Sequence, residues 1–319
     1  RFEGPARTDV YVSARTGAVS QVVNAREKVL NWLGPIPHWL YFETLRADTK
    51  LWTQVVIWTS IVGVFLTLTG LYLGVAAWRP WRDRRVTPYR GLMAWHHLTG
   101  LAAGLLTLTW VASGLVSMNP WGFLDGRADE RTQRLTGVVP FGDVRQAVLA
   151  VKSGGVAARQ LTVAPLGGTV FVMADGVRLD AAARAAPLAG PELAAAARRM
   201  GPSRSAGLIA EEDAYYFGHH EPVTLPAYRV VMADGLRIYL DPASGGVLRQ
   251  VDGARRGYRW LFDAPHRLDF IRGFDRGGGW AAAMTLLLVF AGAGVATGVW
   301  LGWRRAKSDA TAAWPRGRS

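Results

Sequence analysis

Residues 51–78 read LWTQVVIWTSIVGVFLTLTGLYLGVAAW, a run without a single Asp, Glu, Lys or Arg. Residues 91–118 and 280–303 form two further runs with the same property. About 20 predominantly apolar residues are enough for a helix to cross the hydrocarbon layer of a bilayer. The sequence therefore predicts three transmembrane helices, and its fold class is that of a membrane α+β protein.

The positive charge of the chain is concentrated beside these runs. The net charge is +13, and residues 79–90 and 304–319 each hold five basic residues and one Asp, so together they account for +8 of it. Basic flanks of this kind mark the cytoplasmic side of a membrane protein. We predict a cytoplasmic loop at 79–90, a cytoplasmic tail at 304–319, and a bacterial inner-membrane location. The lipid bilayer is thus the expected partner, and nucleic acid is not.

The remaining residues are expected on the opposite, periplasmic side. Residues 119–256 have the composition of a water-facing α+β domain, and 257–279 form a juxtamembrane segment before the third span. Helical composition and strand-like alternation predict helices at 144–152 and 191–200 and strands at 169–173 and 237–240. Turns are predicted at Asp175-Gly176, Asp234-Gly235 and Ser244-Gly245-Gly246.

The chain repeats itself at a fixed offset of 228 residues, from about residue 10 to residue 74. Each copy holds a strand and turn, a juxtamembrane segment W-L-x-x-x-P-H-x-L-x-F, and a span ending T-G-x-[YW]-L-G. The identities include Tyr11 with Tyr239, Gly17 with Gly245, Trp32 with Trp260, His38 with His266, and Trp52 with Trp280.

The repeat also raises an expectation about the natural protein. The second copy is preceded by a span and an outside domain, whereas residues 1–50 hold only the end of a first such unit. The chain begins with Arg and shows no signal peptide. We therefore expect an earlier span and most of a domain to precede residue 1, which gives four spans in the intact protein.

The histidines are the candidate cofactor ligands. His38 and His266 lie at equivalent positions just outside the membrane, and His96 and His97 lie near the start of the second span. The chain has no Cys, which excludes iron-sulfur clusters and covalently attached haem. Imidazole is the usual axial ligand of haem b, with one ligand from each face. We predict that His38 pairs with His266, and that His96 or His97 pairs with a histidine on the missing span, giving one or two haems.

Another interpretation stays open for both pairs. His38 and His266 could lie on amphipathic segments among the lipid headgroups. His96 and His97 could be a hydrated pair close to the interface. The recurrence of P-H-x-L-x-F favours a ligand role for the first pair, and the rarity of ionisable residues inside spans favours one for the second.

Other polar and small residues carry less information. His219 and His220 are expected on a solvated turn, because no third metal ligand follows at a telling spacing. Met118 could be an axial thioether, although packing is its commoner role. Glycines spaced by four residues allow close helix contact and equally leave room for a flat macrocycle; they are Gly70, Gly74, Gly100, Gly104, Gly294, Gly298 and Gly302.

Four segments together resemble the PepSY-associated transmembrane proteins, a family that includes bacterial inner-membrane siderophore-iron reductases. They are P-H-W-L-Y-F at 37–42, W-H-H-L-T-G at 95–100, S-G-L-V-S-M-N-P at 113–120 and Y-L-D-P-A-S-G-G-V at 239–247. The resemblance covers essentially the whole chain. It implies a four-helix membrane core, periplasmic PepSY domains, and haem b held by histidines that passes electrons to ferric iron.

Carried over by position, the resemblance makes His96, in W-H-x-x-x-G, a better ligand candidate than His97 beside it. It also matches His38 and His266 to the juxtamembrane histidines of the family. The chain departs from the family at its start, where the first span and most of the first PepSY domain are absent.

The predicted function is a haem-b electron conduit that reduces a ferric chelate, such as a ferric siderophore, which would make it a ferric-chelate reductase. No G-x-G-x-x-G after a strand marks a nicotinamide or flavin site, so the expected donor is a quinol or a separate reductase. The alternative is a non-redox, membrane-anchored PepSY module that binds or regulates a peptidase or senses the envelope. A transporter is disfavoured because the spans lack acidic and basic side chains.

Overall fold

The computed structural model of the protein describes residues 2–4, 8–78, 86–126, 130–218, 222–270 and 277–313. These residues divide into two compact units. Unit 1 comprises the described residues within Arg1–Pro120, Pro265–Leu268 and Gly273–Ser319, and unit 2 those within Trp121–Ala264 and Asp269–Arg272. Most of the predicted loop at 79–90, the last six residues of the predicted tail, and both His219 and His220 lie outside the described residues.

Unit 1 contains the three predicted spans, a helix of nine residues, three helices of four residues each and a small sheet. Its elements are β1 (Phe2–Gly4), β2 (Thr8–Val12), β3 (Val19–Val23), α1 (Ala25–Leu33), α2 (Pro35–His38), α3 (Glu43–Arg46), α4 (Thr49–Ala77), α5 (Gly91–Ser117), α10 (Ala264–Arg267, of which Pro265 onward belongs here) and α11 (Gly278–Ala313). The three strands are antiparallel in the order β1-β2-β3.

Three helices of unit 1 are long and apolar enough to cross a membrane, as the sequence predicts. Their bounds agree with the predicted spans to within a few residues at the start of each helix. Helix α4 begins after Asp48, whose carboxylate accepts hydrogen bonds from the Lys50 and Leu51 N–H groups. Helix α11 continues beyond the predicted end at 303 to Ala313, so the first part of the predicted tail is helical.

Helix α5 packs against both α4 and α11. Glycines make the contacts close: a Cβ atom added at Gly104 would lie 2.5 Å from Leu71 Cδ2, and one at Gly74 would lie 3.0 Å from Leu101 Cδ2. The expected small-residue contacts are therefore confirmed at these two positions. Gly70, Gly100 and Gly302, by contrast, have open space beside them as far as the described residues are concerned.

Unit 2 is built of two layers, each a helix on an antiparallel sheet. Its elements are α6 (Arg131–Thr136), α7 (Phe141–Ser153), β4 (Leu161–Val163), β5 (Val172–Ala174), β6 (Val177–Leu179), α8 (Gly190–Arg199), β7 (Ser203–Ile209), β8 (Ala227–Met232), β9 (Arg237–Leu240), β10 (Val247–Val251), α9 (Gly253–Tyr258) and a π-helical turn (Arg259–Asp263). The strand orders are β4-β5-β6 and β10-β9-β8-β7. The predicted mixture of helix and sheet is confirmed.

Each layer has its own apolar core, formed where one face of a helix meets one face of a sheet. Helix α7 packs Ala147 and Val151 against Val172 of β5. Helix α8 packs Leu193 and Ala196, together with Met200 just after its end, into a second cluster with apolar side chains of β8 and β9. Period-2 alternation places the same face of each strand toward its helix.

Most local predictions for unit 2 are confirmed. The helices expected at 144–152 and 191–200 are α7 and α8, the strand expected at 237–240 is β9, and Asp175-Gly176 forms the turn from β5 to β6 with φ of 46° and 90°. The strand expected at 169–173 is displaced: β5 begins only at Val172. The reason is that Thr169 closes a tight turn with Leu166, each N–H bonding to the other's carbonyl.

The internal repeat is present in the structure as well as in the sequence. Strands β2 and β3 pair with Tyr11 opposite Gln21, and β9 and β10 pair with Tyr239 opposite Arg249, which is the same register 228 residues later. Both ladders carry an irregularity at the equivalent place. The two copies therefore share their backbone course through the strand and turn.

Candidate functional site

The two juxtamembrane histidines, which belong to different copies of the repeat, meet in unit 1. His38 ends α2 and His266 lies in α10, and each is followed two residues later by a leucine with positive φ, Leu40 at 52° and Leu268 at 54°. The centres of the two imidazole rings are 5.8 Å apart, and the ring planes are inclined by 52°. The sequence predicted that His38 and His266 come together, and in the structure their rings lie side by side.

His266 is held by helix α5. Its Nδ1 atom is 2.9 Å from the hydroxyl oxygen of Ser113, and that hydroxyl lies 3.1 Å from the Trp110 carbonyl. Ser113 is only 3% exposed. Burial, and after it the neighbouring charge of His38, lower the pKa of His266 below its ordinary value of 6.5. The neutral ring is the form that can bind a metal.

His38 has a different environment. It is an exposed residue, and its ring meets Trp39 edge-on with 5.8 Å between the ring centres. Within the described residues, neither of its ring nitrogens has a hydrogen-bond partner. One ring of the pair is thus anchored by a neighbouring helix and the other is positioned mainly by its own short helix.

His96 faces α11. Its Nδ1 atom is 3.2 Å from both the Gly294 carbonyl and the Thr297 hydroxyl oxygen. Because a carbonyl can only accept, Nδ1 carries the proton and Nε2 holds the lone pair. A Cβ atom on Gly298 would lie 2.9 Å from Cε1 of this ring, so the close approach of His96 requires glycine at that position.

His97 faces the other neighbour, α4. Its Nε2 atom donates to the Gly74 carbonyl at 2.8 Å, so its lone pair is on Nδ1. That Nδ1 atom is buried and has no partner within the described part of the chain, and Tyr89 meets the ring edge-on at 5.2 Å. The structure therefore does not bring His96 and His97 together, and the contacts of His97 favour a packing role. Its assignment as a ligand stays a prediction.

The pair of His38 and His266 fits the ligand set of a haem. Imidazole nitrogens bind metals at about 2 Å, so two rings on opposite sides of one metal ion have their centres about 6 Å apart. The observed 5.8 Å agrees with this value. No group of three or more His, Asp or Glu side chains suited to a bare metal ion occurs in the described ranges. Two ligands are nevertheless sufficient for haem, because the macrocycle provides the other four nitrogens.

The end of α5 that carries His96 fits less completely. His96 presents one ring nitrogen that has no partner within the described residues, but no second histidine faces it there. A haem at this end would need a further ligand, and Met118 is not that ligand because it follows the opposite end of α5.

Sequence reasoning missed the residues that orient the histidines. Ser113 lies in the motif S-G-L-V-S-M-N-P, and Thr297 with Gly298 lies in the repeated T-G pair, so both were visible as motifs. The contacts that use them, however, join residues more than 150 positions apart, such as Ser113 with His266. Only the packing of α5 on its neighbours creates those contacts.

Comparison of the chain with protein-family models, with curated proteins and with solved structures finds no match in any of the three. The candidate site is therefore defined by its residues and its geometry.

Proposed function

We propose that the protein binds haem b and carries electrons across a bacterial inner membrane to a ferric chelate, such as a ferric siderophore, on the periplasmic side. The observation that supports this most is the approach of His38 to His266. The two rings come from different copies of the repeat, and their separation of 5.8 Å suits two axial ligands of one iron.

Each residue then has a definite task. Haem held at this site would supply one-electron redox chemistry. His38 and His266 would hold the haem iron through their imidazole nitrogens. Burial of His266 keeps its ring neutral and limits the access of water, and both effects help to set the reduction potential.

His96 is the candidate ligand for a second haem. It lies 17 residues before Ser113 on α5, which corresponds to about 25 Å at the rise of an α-helix. Two haems at the two ends of α5 would bridge most of the hydrocarbon layer, which is about 30 Å thick. With His96 near the basic flanks and His38 and His266 at the far ends of the spans, the proposed electron path runs from the cytoplasmic to the periplasmic face.

A visible difference spectrum of the purified full chain, reduced minus oxidised, tests haem binding. We expect a b-type spectrum in the wild type, loss of one component in H38A and in H266A, and loss of any second component in H96A. The control is H219A, since the sequence gives His219 no ligand role. A colourless, folded wild-type protein contradicts the proposal.

A second experiment tests the substrate class. The dithionite-reduced protein is mixed with ferric citrate or a ferric hydroxamate, and reoxidation is followed at the haem absorbance. In proteoliposomes of known orientation, we expect reoxidation by chelate added to the face that carries His38 and His266. Reoxidation only from the opposite face contradicts the proposed direction.

A specific feature of unit 2 favours the alternative of a non-redox binding module. A cleft of about 450 Å³ lies beside Thr162 and Val163 of β4, with Asp175, Asp241 and Ser244 also lining it. Strand β4 is three residues long and lies at the edge of its sheet, and each of its residues is exposed, so an extended peptide could pair with it. A haem-free protein that retains a peptide in this cleft would support this second function.

A further inference from the structure

We propose that Ser113 is a positioning residue that fixes the tautomer of His266, keeping the proton on Nδ1 and presenting Nε2 as the ligand nitrogen. The step from this tautomer to iron binding rests on the proposed haem function. The tautomer itself does not, because it depends only on contacts within the chain.

The hydrogen-bond inventory of Ser113 gives the direction of the contact. A serine hydroxyl has one hydrogen and two lone pairs. The Ser113 hydroxyl donates to the Trp110 carbonyl at 3.1 Å, which uses that hydrogen. The contact at 2.9 Å between Ser113 Oγ and His266 Nδ1 must then have the ring as donor. The relay runs from His266 N–H to the Ser113 oxygen, and from the Ser113 O–H to the Trp110 carbonyl.

Burial makes this relay selective. Ser113 is 3% exposed, so water cannot readily replace either partner, and an unsatisfied group here would cost about 1–3 kcal/mol.

The same hydrogen-bond arrangement occurs at His96. At His96, the Gly294 carbonyl and the Thr297 hydroxyl hold the proton on Nδ1, and Thr297 in turn donates to the Gly294 carbonyl. A hydroxyl that donates to a backbone carbonyl of its own helix and accepts from an imidazole occurs at both ligand candidates. His97 has the reverse tautomer, and that contrast separates it from the other two.

Nitrogen-15 NMR of the full chain in detergent, labelled at its histidines and free of haem, measures the tautomer directly. The His266 signals are assigned by their loss in H266Q. We expect wild-type His266 to give the shifts of the Nδ1–H form, and S113A to give a mixture of both tautomers. The matched control is S117A, which removes a hydroxyl on the same helix that donates to the Gly114 carbonyl at 2.6 Å.

Haem-loaded protein gives the second measurement. A donated N–H makes an imidazole a stronger ligand and fixes its orientation, and loss of such a partner weakens metal binding by about 10–100-fold. We expect S113A to lose haem about tenfold faster or more and to have a higher midpoint potential, whereas S117A matches the wild type in both.

The two measurements separate the two proposals. An unchanged His266 tautomer in S113A overturns the role of Ser113, whatever the haem content. A wild-type protein that binds no haem but shows the Nδ1–H tautomer, lost in S113A, supports the role of Ser113 and overturns the haem function.

Discussion

The two copies of the repeat share a backbone course but differ in what surrounds it. Turn glycines Gly17 and Gly245 have φ of 70° and 76°, and Asn24 and Asp252 cap the helices that follow. Local structure is the same because it depends on residues close in sequence. The copies diverge wherever a side chain meets a distant part of the chain.

Three pairs of equivalent residues illustrate this divergence. Tyr239 is fully buried, and Tyr11 is 38% exposed. Gly298 lies against His96, whereas its equivalent Gly70 has open space beside it. His266 contacts Ser113, whereas His38 has no such partner. Equivalent residues of the two copies thus have different surroundings, because their neighbours differ.

The largest expected difference is between Y239A and Y11A. Tyr239 stacks on Tyr216 with 4.6 Å between ring centres and donates to the Asp213 carboxylate at 2.9 Å. Removing a buried aromatic ring costs about 3–5 kcal/mol, so Y239A should lower the free energy of unfolding by about this amount, and Y11A by less than half of it. Urea titration followed by circular dichroism measures both. Equal losses would show that Tyr11 is as well packed as Tyr239.

The next comparison is between G298L and G70L. A side chain at 298 would displace the His96 ring and separate α5 from α11, and overpacking of this kind costs about 1–3 kcal/mol. At position 70 the new side chain meets open space, so the expected change is within about 0.5 kcal/mol. Thermal unfolding in detergent gives the stabilities, and the b-type absorbance reports on His96. A stable G298L protein with an unaltered spectrum would exclude His96 as a ligand.

A smaller loss of stability, equal in the two copies, is expected when the N-cap residue of α1 or of α9 is removed. Asn24 accepts from the Glu27 N–H, and Asp252 accepts from the Arg255 N–H. Loss of an N-cap costs about 1 kcal/mol, which is about a fivefold change in local opening. Hydrogen exchange of residues 25–33 in N24A and of residues 253–258 in D252A should accelerate to a similar extent. A clear inequality would mean that the copies already differ at the level of local structure.

The smallest effect concerns acid. The folded protein lowers the pKa of His266 below 6.5, with burial as the main cause, so the unfolded chain binds more protons than the folded chain in this range. Stability is then fully present above pH 6.5 and falls as the pH drops below it. The drop in unfolding temperature from neutral to acidic pH should therefore be smaller in H266Q than in the wild type. The same acid sensitivity in both proteins would remove His266 as its source.

Much of the architecture could be predicted from residues alone. The spans follow from long uncharged runs such as 51–78, the hairpin turns from Asp-Gly pairs, and helices α7 and α8 from their composition. Strand β5 was placed too early because Thr169, a β-branched residue that favours strands, instead closes the tight turn over Gly167 and Gly168. The repeat that links His38 with His266 predicted that these two residues lie together, as they do, and their role as ligands stays a prediction.

The sequence by itself determined the membrane-spanning helices, the repeat and the set of candidate ligands, because hydrophobic length and local turn chemistry act over a few residues at a time. Only the tertiary structure decided which ring nitrogen of His96 and which of His97 meets a backbone carbonyl. His96 and His97 are neighbours in sequence, yet one donates to α11 and the other to α4. The physical reason is that successive residues of a helix point about 100° apart, so the two rings face different neighbouring helices. Each ring therefore finds a different hydrogen-bond partner, and that partner sets its tautomer.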